Sequence, residues 1–422
     1  MSFLHTSRDR VGETSVPYAE FVAMIALVMA LNAAAIDVYI PALGDIGSAF
    51  GIDEANRRQF VITVYIVAFG GAQLIYGPLS DRFGRRRILF AGLGIYIAGA
   101  VAAVFVTSFE MLLVMRFIQG VGAAATRVVA TSVVRDRFEG AQMASVMSLV
   151  MMVFMTMPVF APNLGSLVLA FGSWRELSGV MCLFGAVTLI WTWARLPETL
   201  APERRRPLTG RKLVEAFRVV VSSRVAFGYT LALASFFGVL FGFVTQAEQV
   251  FTQLYGLGPT FTLYFSLVAC FMAVSSFANS RLVARIGTRR LSQIALLGFI
   301  VVSALHLALA FAYGGATPFP LFVALLIAMM GFFGFVPTNF NALAMEPMGH
   351  VAGVASSVLG AAQTLGGGVL GGIVGYFYNG TLYPMLGGFL GLACLSLLLV
   401  TFAERGRLFA PPREDRETAS AP

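Results

Sequence analysis

The chain has 422 residues, of which 58% are hydrophobic and only 12% are charged, and its mean hydropathy is +0.82. A soluble domain carries about 25% charged residues, so this composition excludes an ordinary soluble globule and indicates a protein whose solvent is lipid. The net charge of +8 is no evidence for a nucleic-acid partner, because the cytoplasmic loops of membrane proteins collect Arg and Lys.

The polar residues 1–19 precede the first hydrophobic run and have no apolar core of their own. We therefore expect an uncleaved first span rather than a secretory signal peptide. Every span is predicted to be helical, because a backbone in lipid must satisfy its hydrogen bonds within the segment. Stretches of about 20 apolar residues predict twelve helices, at 20–43, 57–80, 87–107, 110–134, 142–170, 175–196, 224–249, 259–284, 289–313, 318–345, 350–378 and 381–403.

The longest polar stretch in the interior of the chain lies between the sixth and seventh spans. It predicts a division into a cytoplasmic tail at 1–19, a six-helix bundle at 20–196, a cytoplasmic linker at 197–223, a second six-helix bundle at 224–404 and a cytoplasmic tail at 405–422. The predicted fold class is an all-α membrane protein with twelve transmembrane helices in two pseudo-symmetric six-helix bundles.

The distribution of basic residues predicts that both termini are cytoplasmic. In that orientation only Arg57, Arg58 and Arg175 lie outside, and Arg116 and Arg127 lie within the fourth helix. All other basic residues then fall in cytoplasmic segments or at their helix ends, as the positive-inside rule requires.

Two turns of the chain are similar to each other, which predicts internal symmetry. The turn after the second helix reads GPLSDRFGRRR over residues 77–87, and the turn after the eighth reads LVARIGTRR over residues 282–290. When Gly84 is aligned with Gly287, Asp81 falls on Ala284, so the second copy lacks this carboxylate. Halves related in this way are typical of rocker-type transporters with a site between them near the bilayer midplane.

The chain resembles the major facilitator superfamily. Residues 77–87 resemble its G-x-L-a-D-r-x-G-r-r signature, and residues 116–122, RFIQGVG, resemble its R-x-x-Q-G-x-G motif. Residues 37–43, 134–136 and 352–357 resemble the Bcr/CflA branch of twelve-span drug:proton antiporters. The resemblance covers nearly the whole chain and implies proton-coupled export of small lipophilic or amphipathic compounds by alternating access.

One motif of such antiporters is degraded here. They often carry G-P-x-x-G-G in the fifth helix, whereas residues 161–166 read APNLGS and keep only Pro162 and Gly165 of that pattern. Pro158 and Pro162 are predicted to bend the fifth helix, and the sequence does not distinguish a hinge from a static kink.

Asp37 is the principal candidate for proton coupling. It follows sixteen residues without a charge and precedes Pro41 by four positions. A charge at this depth costs roughly 2.5–3.5 kcal/mol on insertion scales, and Pro41 deprives the Asp37 carbonyl of its helical donor. We interpret Asp37 as a carboxyl group at which protonation and substrate binding compete. The alternative is a structural partner for a buried arginine.

Arg116 and Arg127 are eleven residues apart and therefore lie on one face of the fourth helix. Two intramembrane arginines on one face indicate a cavity, and the alternative is a structural role with polar atoms of the first two helices. By resemblance, Arg116 belongs to a motif implicated in proton coupling. Further polar side chains assigned to the substrate cavity, together with Arg127, are Tyr39, Gln119, Asn339, Asn341 and Gln363.

A gating role is predicted for the turn after the second helix, where Asp81 could cap a neighbouring helix and latch one conformation. For Arg135 and Asp136, a gating ion pair and a solvated helix end remain open. Glu248 is interpreted as a solvated end of the seventh helix, the alternatives being a periplasmic gate or a second titrating group. The full gating set is Gly77, Asp81, Arg82, Gly84, Arg85, Arg86, Arg135, Asp136, Pro158 and Pro162. A glycine ladder at 367–375 predicts close helix packing.

No metal site and no cofactor are predicted, because the Cys and His residues are scattered through apolar runs. The predicted partners are a small-molecule substrate, protons and the lipid bilayer, without nucleic acid, for a monomer in a bacterial cytoplasmic (inner) membrane. A dedicated exporter or importer of one metabolite remains the main alternative. A membrane enzyme, a channel and an ATP-driven pump are disfavoured by the lack of carboxylate clusters, filter-like repeats and a phosphate-binding loop.

Overall fold

The computed structural model describes residues 16–205 and 217–409, and this part of the chain forms twelve apolar helical spans. All twelve predicted spans are confirmed, with ends that differ by several residues. In chain order the spans are α1 (Tyr18–Ala49), α2 (Ala55–Phe83), α3 (Arg85–Val104), α4 (Phe109–Arg137), α5 (Ser145–Phe171), α6 (Trp174–Arg195), α7 (Arg224–Leu254), α8 (Gly258–Ile286), α9 (Thr288–Ala312), α10 (Phe319–Met348), α11 (Ala355–Tyr376) and α12 (Tyr383–Ala403).

Successive spans run in opposite directions, so both ends of the described chain lie on one side of the bundle. We call this side the terminal face and the opposite side the distal face. The predicted linker at 197–223 includes residues outside the described ranges, as do both predicted tails. The division into five segments therefore stays a prediction.

Several spans depart from regular α-helix. In α1 the helix Tyr18–Asp37 ends, a 3₁₀ turn covers Ile40–Ala42, and Leu43–Ala49 continues as α-helix. This break follows from Pro41, which cannot donate the hydrogen bond that would continue the helix. π-Helical turns cover Gln249–Leu254 at the distal end of α7 and Ala362–Gly366 within α11.

The predicted symmetry is visible at the two matched turns. Gly84 joins α2 to α3 with φ = 98°, and Gly287 joins α8 to α9 with φ = 86°. Only glycine adopts this left-handed conformation without steric strain. The same backbone turn therefore recurs in both halves on the terminal face.

Contacts between the first six and the last six spans follow three helix pairs. α2 packs against α11, α5 against α8, and the broken part of α1 against α7. α1 and α7 are the most enclosed spans. Large apolar side chains such as Phe105, Phe171 and Leu183 are exposed on peripheral spans, as expected for surfaces in lipid.

Candidate functional site

Asp37 lies at the break in α1. It is the last residue of the first helical segment, and only 4% of its surface is exposed. Among the described residues no hydrogen-bond donor and no guanidinium reaches its carboxyl group. A buried, unpaired carboxylate is costly. The alternative role as partner of a buried arginine thus finds no contact in the described part of the chain.

The break packs closely against α5 through a single glycine. A Cβ atom on Gly165 would overlap the Val38 carbonyl oxygen and would approach Pro41 Cγ to 2.8 Å. Gly165 is the glycine that survives in the degraded motif of the fifth helix. Pro158 and Pro162 lie inside the continuous helix Gly140–Phe171, which presents Gly165 to α1.

Arg116 is wholly buried and joins three spans of the first half. Its Nη2 donates to the Ala35 carbonyl at 2.8 Å, and its Nε donates to the Val61 carbonyl at 3.0 Å. Its Nη1 donates to Gln119 Oε1 at 2.7 Å. The guanidinium therefore holds the α1 backbone two residues before Asp37 and leaves the Asp37 carboxyl group itself unpaired.

Two tyrosines complete the enclosure of Arg116. Its guanidinium carbon lies 4.2 Å from the Tyr39 ring centroid and 4.4 Å from that of Tyr65. The Tyr39 hydroxyl is hydrogen-bonded to Ser178 Oγ at 2.5 Å. Tyr39 and Gln119 were predicted to face substrate, and both are fully buried around Arg116. They present no surface to a ligand in this conformation.

Arg127 contacts the other half of the molecule. Its Nη1 donates to Thr364 Oγ1 at 3.4 Å, and Gln73 Nε2 donates to the same oxygen at 3.3 Å. Thr364 lies in the π-helical turn of α11, next to the half-buried Gln363. π-Turns are frequent at functional sites. Sequence reasoning missed Thr364, because a threonine in a glycine-rich helix carries no distinctive signal.

The two predicted amides of α10 behave differently. Asn339 Nδ2 donates to Asn279 Oδ1 on α8 at 2.7 Å and to the Phe335 carbonyl at 2.8 Å, and Asn339 is buried. This is an interhelical amide pair within the second half. Asn341 is exposed.

The distal face is closed by contacts between the halves. Asn56 Nδ2 donates to the carbonyls of Tyr376 at 2.8 Å and Tyr378 at 2.7 Å, and Asn56 Oδ1 accepts from Gln249 Nε2 at 2.9 Å. Glu248 lies beside this gate and is only 6% exposed. The interpretation of Glu248 as a solvated helix end was therefore wrong. Asn56 carries no distinctive sequence signal, because its partners lie 193 to 322 residues away along the chain.

On the terminal face, Arg85 organises the turn after α2. Its guanidinium binds Asp81 Oδ1 at 2.5 Å and Asp136 Oδ2 at 2.9 Å, and it also donates to Ser80 Oγ at 2.7 Å. Asp136 thus pairs with Arg85, and Arg135 is exposed. Asp81 pairs with Arg85 within the same turn, and its capping of a neighbouring helix stays a prediction.

The same turn is fixed from α6 by a residue that sequence reasoning missed. Glu198 accepts from the backbone N–H of Arg85 at 2.9 Å and of Arg86 at 3.2 Å. A Cβ atom on Gly84 would overlap Glu198 Oε2. Arg86 donates to the Trp193 carbonyl at 2.7 Å, while Arg82 stacks on Phe83. At the other end of the turn, a Cβ atom on Gly77 would lie 3.4 Å from Ser357 Oγ of α11.

The second half has a corresponding cluster despite its missing aspartate. Arg289 binds Glu346 at 2.5 Å and Glu404 at 2.9 Å, and the Tyr229 hydroxyl donates to Glu404 at 2.9 Å. The carboxylates of this second cluster come from the ends of α10 and α12 and bind Arg289, which aligns with Arg86. Such partners are invisible to an alignment of the two turns alone.

An apolar cleft of about 330 Å³ lies where α1 meets α5 and α6, and Asp37 itself does not line it. Ala34 and Val38 of α1 form its floor and flank Asp37 in sequence. Its walls are side chains of α5 and α6, namely Met157, Phe160, Ala161, Leu164, Val180, Met181, Leu183 and Phe184. In the part of the chain that the structure describes, no group of three His, Cys, Asp or Glu side chains could hold a metal ion.

Comparison with known proteins gives consistent results. Residues 25–372 match the Major Facilitator Superfamily. The bicyclomycin resistance protein homolog of Haemophilus influenzae is 29% identical, over 87% of this chain and 91% of its own length. The multidrug resistance protein MdtL of Escherichia fergusonii is 28% identical, over 93% of this chain and 97% of its own. With twelve apolar spans, the chain is a multi-pass membrane protein.

The fold also matches solved structures. The crystal structure of a D-xylose-proton symporter superposes with a TM-score of 0.69 at 16% sequence identity. The match covers 93% of this chain and 98% of the symporter. At this identity the likeness shows the fold alone.

Proposed function

Because the chain belongs to the Major Facilitator Superfamily, we propose that it is a proton-coupled secondary transporter that exports small lipophilic or amphipathic compounds. It is a transporter and not an enzyme. The relatives named for bicyclomycin and multidrug resistance support export as the direction. The single observation that carries proton coupling is the buried, unpaired carboxyl group of Asp37 at the break in α1.

In this proposal Asp37 alternates between two states. With the distal face closed, as in this structure, substrate that enters from the terminal face competes with the proton on Asp37. Release on the distal side lets a proton return to the carboxyl group, and the neutral form crosses the low-dielectric interior at lower cost than the charged form. Arg116 acts as a positioning residue, because it holds the Ala35 carbonyl and stacks on Tyr39.

The position of the cleft supports lipophilic substrates. Its wholly apolar lining can accept an apolar body, as the walls of small-molecule sites usually do. We place Arg127, Gln363 and Asn341 along the path between the halves, whereas Asn339 is occupied by its pair with Asn279. We further propose that the protein acts as a monomer in a bacterial inner membrane, with the terminal face in the cytoplasm.

The test is transport by purified protein in liposomes under an imposed pH gradient, with a panel of lipophilic cations and neutral drugs. We expect gradient-driven flux for several panel members. Asp37→Asn should abolish that flux while substrate exchange without a gradient persists, because the neutral amide cannot carry a proton. Asp53→Asn is the matched control, since Asp53 is an exposed carboxylate of the distal loop. Full gradient-driven transport by Asp37→Asn would refute the proposal.

The alternative is a dedicated transporter of one metabolite on the same fold. The same panel separates the two, because a dedicated transporter would reject all lipophilic compounds and respond to one metabolite class only. The apolar cleft favours the first candidate.

A further inference from the structure

A second buried carboxyl group lies between the halves, at Glu248 near the distal end of α7. It is 6% exposed, and in the described part of the chain no donor reaches its carboxylate within hydrogen-bond or ion-pair distance. Its Oε1 would lie 3.5 Å from a Cβ atom on Gly44 of α1. Gly44 is seven residues after Asp37, so both carboxyl groups belong to the region where α1 meets α7.

Buried polar side chains with incomplete hydrogen bonding lie at the distal ends of α2 and α7. Gln59 of α2 is 1% exposed, and neither of its side-chain amide atoms has a partner among the described residues. Gln246 and Gln249 also have a buried side-chain oxygen without a partner. Buried polar groups are normally satisfied by protein or ordered water. The unsatisfied groups leave hydrogen-bonding capacity at the α2–α7 contact that water can fill when the gate opens, and Glu248 belongs to the same segment of α7.

The charged and titratable groups that face Glu248 come from three elements. They are Asp45 of α1, Arg58 of α2 and the Tyr378 hydroxyl that follows α11. Arg58 donates from Nε and Nη2 to the Ile52 carbonyl, at 3.2 Å and 2.9 Å, and remains beyond ion-pair distance of Glu248. The guanidinium is thus close to the carboxyl group but bound to a backbone oxygen in the closed state.

We propose that Glu248 is a second proton-binding site, neutral while the distal gate is closed and ionised when the gate opens to water. This rests on the proposed function and deepens it, because it places a proton acceptor at the gate itself. Opening admits distal water, the proton leaves to that water, and the carboxylate is hydrated. Return of the proton removes the charge and allows the Asn56 contacts to re-form.

The experiment measures the distal gate directly. Spin labels at Ala49→Cys and Thr260→Cys, which are exposed on opposite halves of the distal face, report the gate distance in lipid nanodiscs. The native thiols Cys182, Cys270 and Cys394 are first replaced by serine. We expect the long-distance population of the otherwise unchanged protein to grow as pH rises from about 5 to about 9, because ionisation of Glu248 favours the open gate.

Substitutions at Glu248 and Arg58 test whether ionisation of Glu248 causes this pH-dependent opening. The distal gate of Glu248→Gln should stay closed over the whole pH range. Glu248→Asp should keep a pH-dependent opening, which would show that the site tolerates substitution. Glu110→Gln is the matched control, since Glu110 is an exposed carboxylate on the distal face. Arg58→Gln should move the midpoint upward by about one pH unit, because the lost cation no longer favours the ionised form.

The outcomes separate this inference from the proposed function. A wild-type pH transition in Glu248→Gln would overturn the role of Glu248, and loss of gradient-driven flux in Asp37→Asn would still support the proposed function. In the labelled Asp37→Asn protein the Glu248-dependent transition should persist. If that transition vanishes in Asp37→Asn and survives in Glu248→Gln, the gate responds to Asp37 alone and the second site is refuted.

Discussion

At Arg116 an ionised side chain is held inside a helical bundle by acceptors that carry no net charge. Three hydrogen bonds from an ionised donor contribute about 1.5–3 kcal/mol each, and each desolvated ring contact contributes up to about 2 kcal/mol. Together they offset the desolvation of one guanidinium. Because one acceptor is the Ala35 carbonyl, this clamp also sets the position of Asp37.

Arg116→Lys should separate charge from geometry. Lysine keeps the charge but lacks the planar fork that reaches α1, α2 and α4 together. We expect a loss of about 3 kcal/mol of stability and reduced gradient-driven transport. Thermal unfolding in detergent measures the first effect. Arg127→Lys is the control, since Arg127 makes one long hydrogen bond across the halves, and an equal loss of stability in both variants would contradict the clamp.

At the scale of elements, α11 is held between its own half and the other half by glycines on two faces. Gly367 and Gly371 pack against α7, whereas Gly368 and Gly372 pack against Ile66 and Thr63 of α2. The predicted close packing of the glycine ladder is confirmed. Small residues let helices approach in lipid, and a smooth α2–α11 contact is what sliding between the halves requires.

The contact can be tested from the α2 side. A Cβ atom on Gly70 would lie 2.5 Å from the Leu365 backbone nitrogen, whereas nothing lies within 4 Å of a Cβ atom on Gly71. Gly70→Ala should therefore reduce transport about tenfold, since overpacking costs about 1–3 kcal/mol. Gly71→Ala should leave transport unchanged. Initial rates in liposomes measure both, and equal rates would show that α2 and α11 do not need this contact.

At the scale of the whole molecule, the two halves are closed at the distal face by Asn56 and by the α5–α8 pair. In the latter, Asn163 Nδ2 donates to Ser266 Oγ at 2.6 Å, and Ser266 donates to the Val159 carbonyl at 2.7 Å. The arginine clusters at Arg85 and Arg289 both lie on the terminal face. Because these arginines lie on the terminal face, the positive-inside rule predicts that this face is cytoplasmic.

The orientation prediction can be checked with fusions. Green fluorescent protein at the C-terminus should fluoresce, and alkaline phosphatase at the same place should be inactive, because both would remain in the cytoplasm. Phosphatase fused after Gly314, in the distal loop between α9 and α10, should be active. The reverse pattern would place the terminal face outside and would remove the support for export from the cytoplasm.

Several features were determined by the amino-acid sequence alone. The twelve spans, the break at Pro41 and the two glycine turns depend on local composition and backbone chemistry, which a single segment carries in full. The family followed from short motifs and is confirmed. Asp37 stood out because an isolated carboxylate contrasts with sixteen uncharged neighbours.

Only the tertiary structure decided which polar groups meet. The acceptors of Arg116, the burial of Glu248 and the carboxylates that bind Arg289 come from segments far apart in the chain. Hydropathy could not reveal them, because lipid and protein interior are both apolar and the pattern does not distinguish the faces of a span. Which faces turn inward is decided by helix packing, and that packing buries one arginine and leaves two carboxyl groups unpaired.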